Sequence, residues 1–224
     1  MLAAIYLGEI QKWDDPRIAS ANAGASLPAA DISVVCRSDG CSATLVFTDY
    51  LSKVSPEWKE KVGSGTAVKW PVGVGAKGDE GVTAIMKKTP NSVCYLDLRW
   101  ASYNDAPLAS LSNSAGQFVH PTLESITAAA ASANVPDDLR VSITDAPGPD
   151  SYPISSFTYL LVYQHQADRE KGQLISDFLW WAVHDGQKEL HKLLYAPLPE
   201  SVIQMAEQKI DSISYNDEVL RRLR

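Results

Sequence analysis

The sequence has no apolar run of about eighteen residues, the length that a membrane-spanning helix needs. Its first residues, "MLAAIYLGEIQKW", lack a basic segment ahead of the apolar stretch, and acidic and polar residues soon interrupt it, so they do not read as a secretory signal. Cysteine is scarce. Cys36, Cys41 and Cys94 have no metal-site spacing, and their odd number does not suggest a disulfide framework, so all three are expected to be free. Positive charge is in deficit: 20 Lys and Arg against 27 Asp and Glu, a formal charge of −7. That balance argues against nucleic acid or an anionic membrane as a partner, because both call for clustered cations. It does not argue against a small anion, which a local group of N–H donors can hold.

What is present is ordinary globular material, 224 residues and 45% hydrophobic, enough for one large domain or two small ones. Short strand-like runs alternate with helix-like ones. "ISVVC", "SVCYLDL", "LRVSITD" and "ISSFTYLLVYQ" read as strands, the last rich in β-branched and aromatic residues. "SATLVFTDYLSKV", "SPEWKEKVG", "GVTAIMKKTP", "HPTLESITAAAASA" (with Pro121 in its first turn), "DREKGQLISDFLWWAVHDGQKELHKLL" and "PESVIQMAEQKIDSI" read as helices. The class is therefore α/β with a largely parallel sheet. The Pro- and Gly-rich crossing Ala146–Pro153 is the best internal boundary, giving segments 1–147 and 148–224. Disorder is expected only at the final "RRLR".

One stretch carries chemistry. "RSDGCSAT", Arg37 to Thr44, lies between a strand-like and a helix-like run. Free backbone N–H groups at a helix start, with an arginine beside them, can cradle a tetrahedral oxyanion. Asp39 can hold Arg37 in place or repel the anion, and Ser38, Ser42 and Thr44 supply hydroxyls. The same pattern also reads as a capped helix with a surface Arg–Asp pair. "GVGAKG", Gly73 to Gly78, matches G-x-G-x-x-G, but Asp79 and Glu80 open the following helix and would repel a pyrophosphate. It reads instead as a tight loop that lets backbone approach backbone. His184 and His191 could share a helix face but lack a third ligand in phase, so no metal site is expected. Ser155 has no glycine elbow around it, so no hydrolase nucleophile is expected. Phe178, Trp180 and Trp181 read as packing residues.

Five stretches, "IYLGEIQKWDDPRI", "RSDGCSATLVFTDYLSKVSPEW", "WPVGVGAKGDEGV", "YPISSFTYLLV" and "YAPLPESV", resemble, in this order, the phosphate-binding proteins of bacterial ABC-type phosphate importers, the PstS family. The likeness runs from about Ile5 to Ile203. It implies a type II periplasmic-binding-protein fold of two α/β lobes closing on inorganic phosphate, with no cofactor and no catalysis. Residues 1–147 would be the second, inserted lobe and 148–224 the returning part of an incomplete first lobe. The family's motif is Arg-Ser/Ala-Asp-Gly-Ser-Gly-Thr. Arg37, Asp39 and Gly40 match it; the resemblance makes Arg37 the phosphate clamp and Asp39 its orienter. Cys41, Ser42 and Ala43 depart from it, which removes two hydroxyl donors and puts a side chain where the family has glycine. The N–H groups of Cys41 to Thr44 would remain as the cradle.

Family members also carry a further N-terminal segment with more phosphate contacts, among them an aspartate that accepts the proton of the phosphate. Without it, an apolar edge of 152–224 is expected to be exposed unless a second chain or copy completes the first lobe. The resemblance places the protein outside the cytoplasm with a membrane permease as partner. Two other readings remain at this point: an assembly module of the same fold that no longer binds phosphate, and an enzyme with Cys41 as nucleophile at a helix start.

Overall fold

The structure is a computed structural model and describes residues 1–220. The expected disorder at Arg221–Arg224 lies outside the described residues. Two compact units divide between Pro107 and Leu108. The Ala146–Pro153 crossing lies within the second compact unit and is held by local bonds. The Asn113 amide donates to the carbonyls of Gly148, Pro149 and Ser151 at 3.0, 2.9 and 3.1 Å. Ser132 and Ser151 share a hydrogen bond of 2.9 Å. The crossing is thus tied to the chain before it.

In the first unit, two short helices, α1 (Leu2–Tyr6) and α2 (Pro16–Ala21), precede β1 (Ser33–Arg37). Then come α3 (Ser42–Val54), α4 (Pro56–Lys61), β2 (Val74–Ala76), α5 (Gly78–Lys88), β3 (Ser92–Val93) and α6 (Leu98–Tyr103). The sheet is parallel, in the order β2-β1-β3, with Val35 opposite Val74, Arg37 opposite Ala76 and Ser33 opposite Ser92. That is the α/β class expected, though β3 is shorter than the strand read from "SVCYLDL". β2 lies inside the glycine-rich stretch that the sequence reads as a tight loop. Gly73 makes this possible: its φ is +105°, and a Cβ there would lie 2.8 Å from the Val34 carbonyl oxygen.

The core of this unit has an aromatic cluster and an aliphatic one. Tyr6, Phe47, Trp58, Trp70 and Tyr95 pack together, with Phe47 stacked on Tyr95 at 4.5 Å between centroids. Val35, Ala76 and Val82 form the aliphatic cluster. Thr48, fully buried on α3, donates to the Thr44 carbonyl at 2.7 Å and accepts from the Gly65 N–H at 3.1 Å, holding the loop before β2 against the helix.

The second unit begins with a hairpin, β4 (Leu111–Ser112) and β5 (Phe118–Val119), followed by α7 (Leu123–Ser132). Thr122 caps α7 in a reciprocal box with Ser125, so Pro121 stands just outside the helix rather than in its first turn. After a long irregular passage come α8 (Arg169–Val183), a 3-10 helix (Asp185–Leu193), α9 (Glu200–Ile210) and a hairpin of β6 (Ser214–Tyr215) and β7 (Glu218–Val219). The helix read from "DREKG" breaks at His184, not Gly186, so His184 and His191 do not share an α-helical face. His184 stacks on Trp180 and bonds to Glu207 at 2.8 Å.

The stretches read as strands, "LRVSITD" and "ISSFTYLLVYQ", form no ladder. From Phe157 to Val162 no backbone group pairs with another backbone group among the described residues. A strand exists only through its neighbour's N–H and C=O groups, so β propensity alone does not make one of this stretch. Leu161 is 96% exposed and Tyr163 86%. On α8, Leu174 is exposed as well, and so are Phe178 and Trp181, two of the three aromatic residues expected to pack. The exposed apolar edge expected of this part of the chain is therefore present.

Candidate functional site

Arg37 ends β1, and parallel pairing with β2 fixes its place. The Ser38 N–H donates to the Ala76 carbonyl at 2.9 Å, and the indole N–H of Trp70 donates to the Arg37 carbonyl at 3.0 Å. The chain then turns through Asp39 and Gly40 into α3. The Cys41 N–H donates to the Thr66 carbonyl at 2.8 Å, which pins the turn. Cys41 is extended and serves as the N-cap of α3, its Sγ accepting from the Thr44 N–H at 3.4 Å. Ser42 stands in the first helical turn with no positive φ, so the side chain where glycine is usual brings no backbone strain.

The Arg37 side chain is buried and held from two directions. Its Nε and Nη2 donate to Oδ1 and Oδ2 of Asp39 at 2.9 and 2.6 Å. Its Nη1 donates to Oδ1 of Asp79, in the first turn of α5, at 2.8 Å. The Gly78 N–H also donates to Asp39, at 3.0 Å. A guanidinium has five N–H donors. Three are used here, so one remains on each terminal nitrogen.

These contacts act on proton affinity. The hydrogen bonds from Arg37, with that from Gly78, hold the Asp39 carboxyl well below the usual carboxylate range. The same pair, led by its hydrogen bonds, pushes the Arg37 guanidinium higher still. Asp79 behaves differently. Burial pushes its carboxyl up despite Arg37, and the nearby charges of Asp97 and Glu80 add to this.

Seven residues were expected to form the cradle, and the structure sorts them. Arg37 and Asp39 are paired as expected. Gly40 and Ser42 are exposed, and the N–H groups of Ser42 and Ala43 are free at the start of a helix of 13 residues. The N–H groups of Cys41 and Thr44 are engaged inside the turn. Thr44 is fully buried, and its hydroxyl bonds to Tyr95 Oη at 2.7 Å and to Cys41 Sγ at 3.2 Å, so it does not face outward. Tyr95 in turn accepts from the Arg37 N–H at 3.1 Å. Asp79 and Tyr95 were not foreseen as parts of this site. In the sequence, Asp79 and Glu80 read only as hostile to an anion, and that charge is the available signal for Asp79.

Residues 1–185 match the PBP superfamily domain. The chain belongs to that superfamily. Among relatives of this PBP domain, the phosphate-binding protein PstS of Pasteurella multocida is 46% identical over 206 residues, covering 91% of this chain and 60% of the relative. PstS of Methanocaldococcus jannaschii is 42% identical, covering 95% and 60% respectively. This chain thus spans less than two thirds of the length of these relatives. The fold matches that of a high-affinity periplasmic phosphate-binding protein, PfluDING, solved with phosphate, at a TM-score of 0.69 and 22% identity, over 92% of this chain and 63% of the other. It also matches a human phosphate-binding apolipoprotein at a TM-score of 0.67 and 19% identity, over 92% and 64%.

No helix among the described residues is long and apolar enough to cross a membrane. The three cysteines are free, as expected. Cys41 has no histidine in its compact unit, since all four lie beyond residue 107.

Proposed function

We propose that the chain captures inorganic phosphate for an ABC-type importer as its extracytoplasmic, non-catalytic binding component, delivering the anion to a membrane permease. The observation that carries this is the cluster at the start of α3. Arg37 keeps one N–H on each terminal nitrogen, and a few residues on, the N–H groups of Ser42 and Ala43 have no partner among the described residues. Unused donors from a buried guanidinium and from the helix start that follows it suit a tetrahedral oxyanion. Asp39 orients the guanidinium, and Gly40 keeps the approach open. The PstS names of the relatives support the choice of phosphate.

In this reading residues 1–147 correspond to the second lobe and 148–224 to the returning part of the first. The bare run from Phe157 to Tyr163 and the apolar face of α8 are where further polypeptide, from a second chain or copy, would complete the first lobe. The rival reading is an assembly module that has lost its anion, and the two carboxylates on Arg37 favour it. Calorimetric titration with phosphate, with sulfate as control and mass followed by light scattering, separates the two. Capture predicts saturable phosphate binding that Arg37→Ala abolishes. No phosphate binding by a stable dimer or larger species would overturn it.

A further inference from the structure

One guanidinium between two carboxylates is not electrically neutral. Arg37 contributes one positive charge, and Asp39 and Asp79 together contribute two negative ones when ionised. Asp39 takes the side of the guanidinium that makes two parallel bonds, the arrangement that orients an arginine. Asp79 does something else. It comes from another element, the first turn of α5, and takes one of the two N–H groups of Nη1. Its side chain keeps 30% of its accessibility and that of Asp39 27%, so the two carboxylates are half-buried alike. Asp79 differs in occupying one N–H of a terminal nitrogen that Asp39 leaves free. Like an oxyanion, it is negatively charged and accepts from the guanidinium.

We propose that Asp79 is an affinity-setting residue, an internal carboxylate that competes with the incoming oxyanion for Arg37 and weakens its capture. The proposal rests on the phosphate reading above and names the residue that limits it. Asp79 touches the donor of the site, and its effect is carried by charge. Asparagine at this position keeps an oxygen acceptor for Nη1 and removes the charge. Such a change leaves the guanidinium oriented by Asp39.

The test is titration of the wild-type chain, Asp79→Asn and Asp79→Ala with inorganic phosphate and, separately, with sulfate, at one pH and one ionic strength. Thermal melts of each protein report folding. The expected result is phosphate binding tighter by about tenfold or more in Asp79→Asn. Asp79→Ala, which removes the acceptor as well, is expected to gain also, and Arg37→Ala in the Asp79→Asn background is expected to erase the gain. Equal phosphate affinity in wild type and Asp79→Asn overturns the role of Asp79 and leaves phosphate capture standing. So does weaker binding by Asp79→Asn, which makes Asp79 a partner of the ligand instead of its rival. A folded Asp79→Asn chain that takes up neither anion, alongside a silent wild type, overturns capture and this proposal together.

Discussion

Arg37 and Asp39, two residues apart, meet through two parallel hydrogen bonds, Nε to Oδ1 at 2.9 Å and Nη2 to Oδ2 at 2.6 Å. The pairing needs β1 to end at Arg37 and the chain to turn back at once. It holds a buried guanidinium at a fixed angle at the mouth of α3.

Acid should therefore dismantle this corner. The Asp39 carboxyl titrates below its ordinary value of 3.8 in the folded chain. Its contribution is fully present above that value and is lost as pH falls through the folded value. Melting temperature measured from pH 6 downward is expected to drop below about pH 4 in wild type, and less so in Asp39→Asn. Parallel curves would show that Asp39 carries no such linkage.

At the alkaline end the sign reverses. Burial pushes the Cys36 and Cys94 thiols from 9.0 up to about 11 and the Tyr95 phenol from 10.0 up to about 12. The folded chain keeps these protons longer than the unfolded one does. The stabilisation is full below pH 9 and disappears as pH rises through the folded values. Stability is expected to decline between about pH 9 and 12. Cys36→Ala should flatten the first part of that decline in a pH series of denaturant melts.

Cys41→Ser is expected to stabilise the chain. A thiol caps α3 at 3.4 Å, where an oxygen is the stronger acceptor. Serine is among the preferred N-caps, and a gain of about 0.5–1 kcal/mol in urea unfolding follows. The same change adds a hydroxyl beside the free N–H groups, so phosphate affinity should not fall.

Gly73→Ala is expected to be costly. The residue has φ +105°, and its Cβ would sit 2.8 Å from a backbone oxygen of β1, which cannot swing aside. A loss of about 2 kcal/mol or more is expected. The altered chain should also show weaker hydrogen-exchange protection at the β1–β2 pairing than Cys41→Ser does.

Legibility in the sequence followed the range of the forces involved. α3 was read as Ser42–Val54 and is found there, because its cap and its periodicity are local. The Arg37–Asp39 pair was legible for the same reason. Asp79 reaches Arg37 only because β2 pairs in parallel with β1 and α5 starts immediately after it. Tyr95 arrives from beyond β3 in a similar way. No local pattern announces such meetings. The run "ISSFTYLLVYQ" failed in the opposite sense: its composition suits a strand, but a strand is a property of two segments and the second is not at hand.

That run has a practical consequence for anyone handling the protein. Five residues, Thr158 to Val162, offer main-chain donors and acceptors with no backbone partner among the described residues, and they include apolar side chains. Two molecules that meet there can zip edge to edge, and a third can join. This stretch is thus the first place to look for self-association. A lysine at Leu161, whose side chain points into solvent, is the first change to make when preparing concentrated samples.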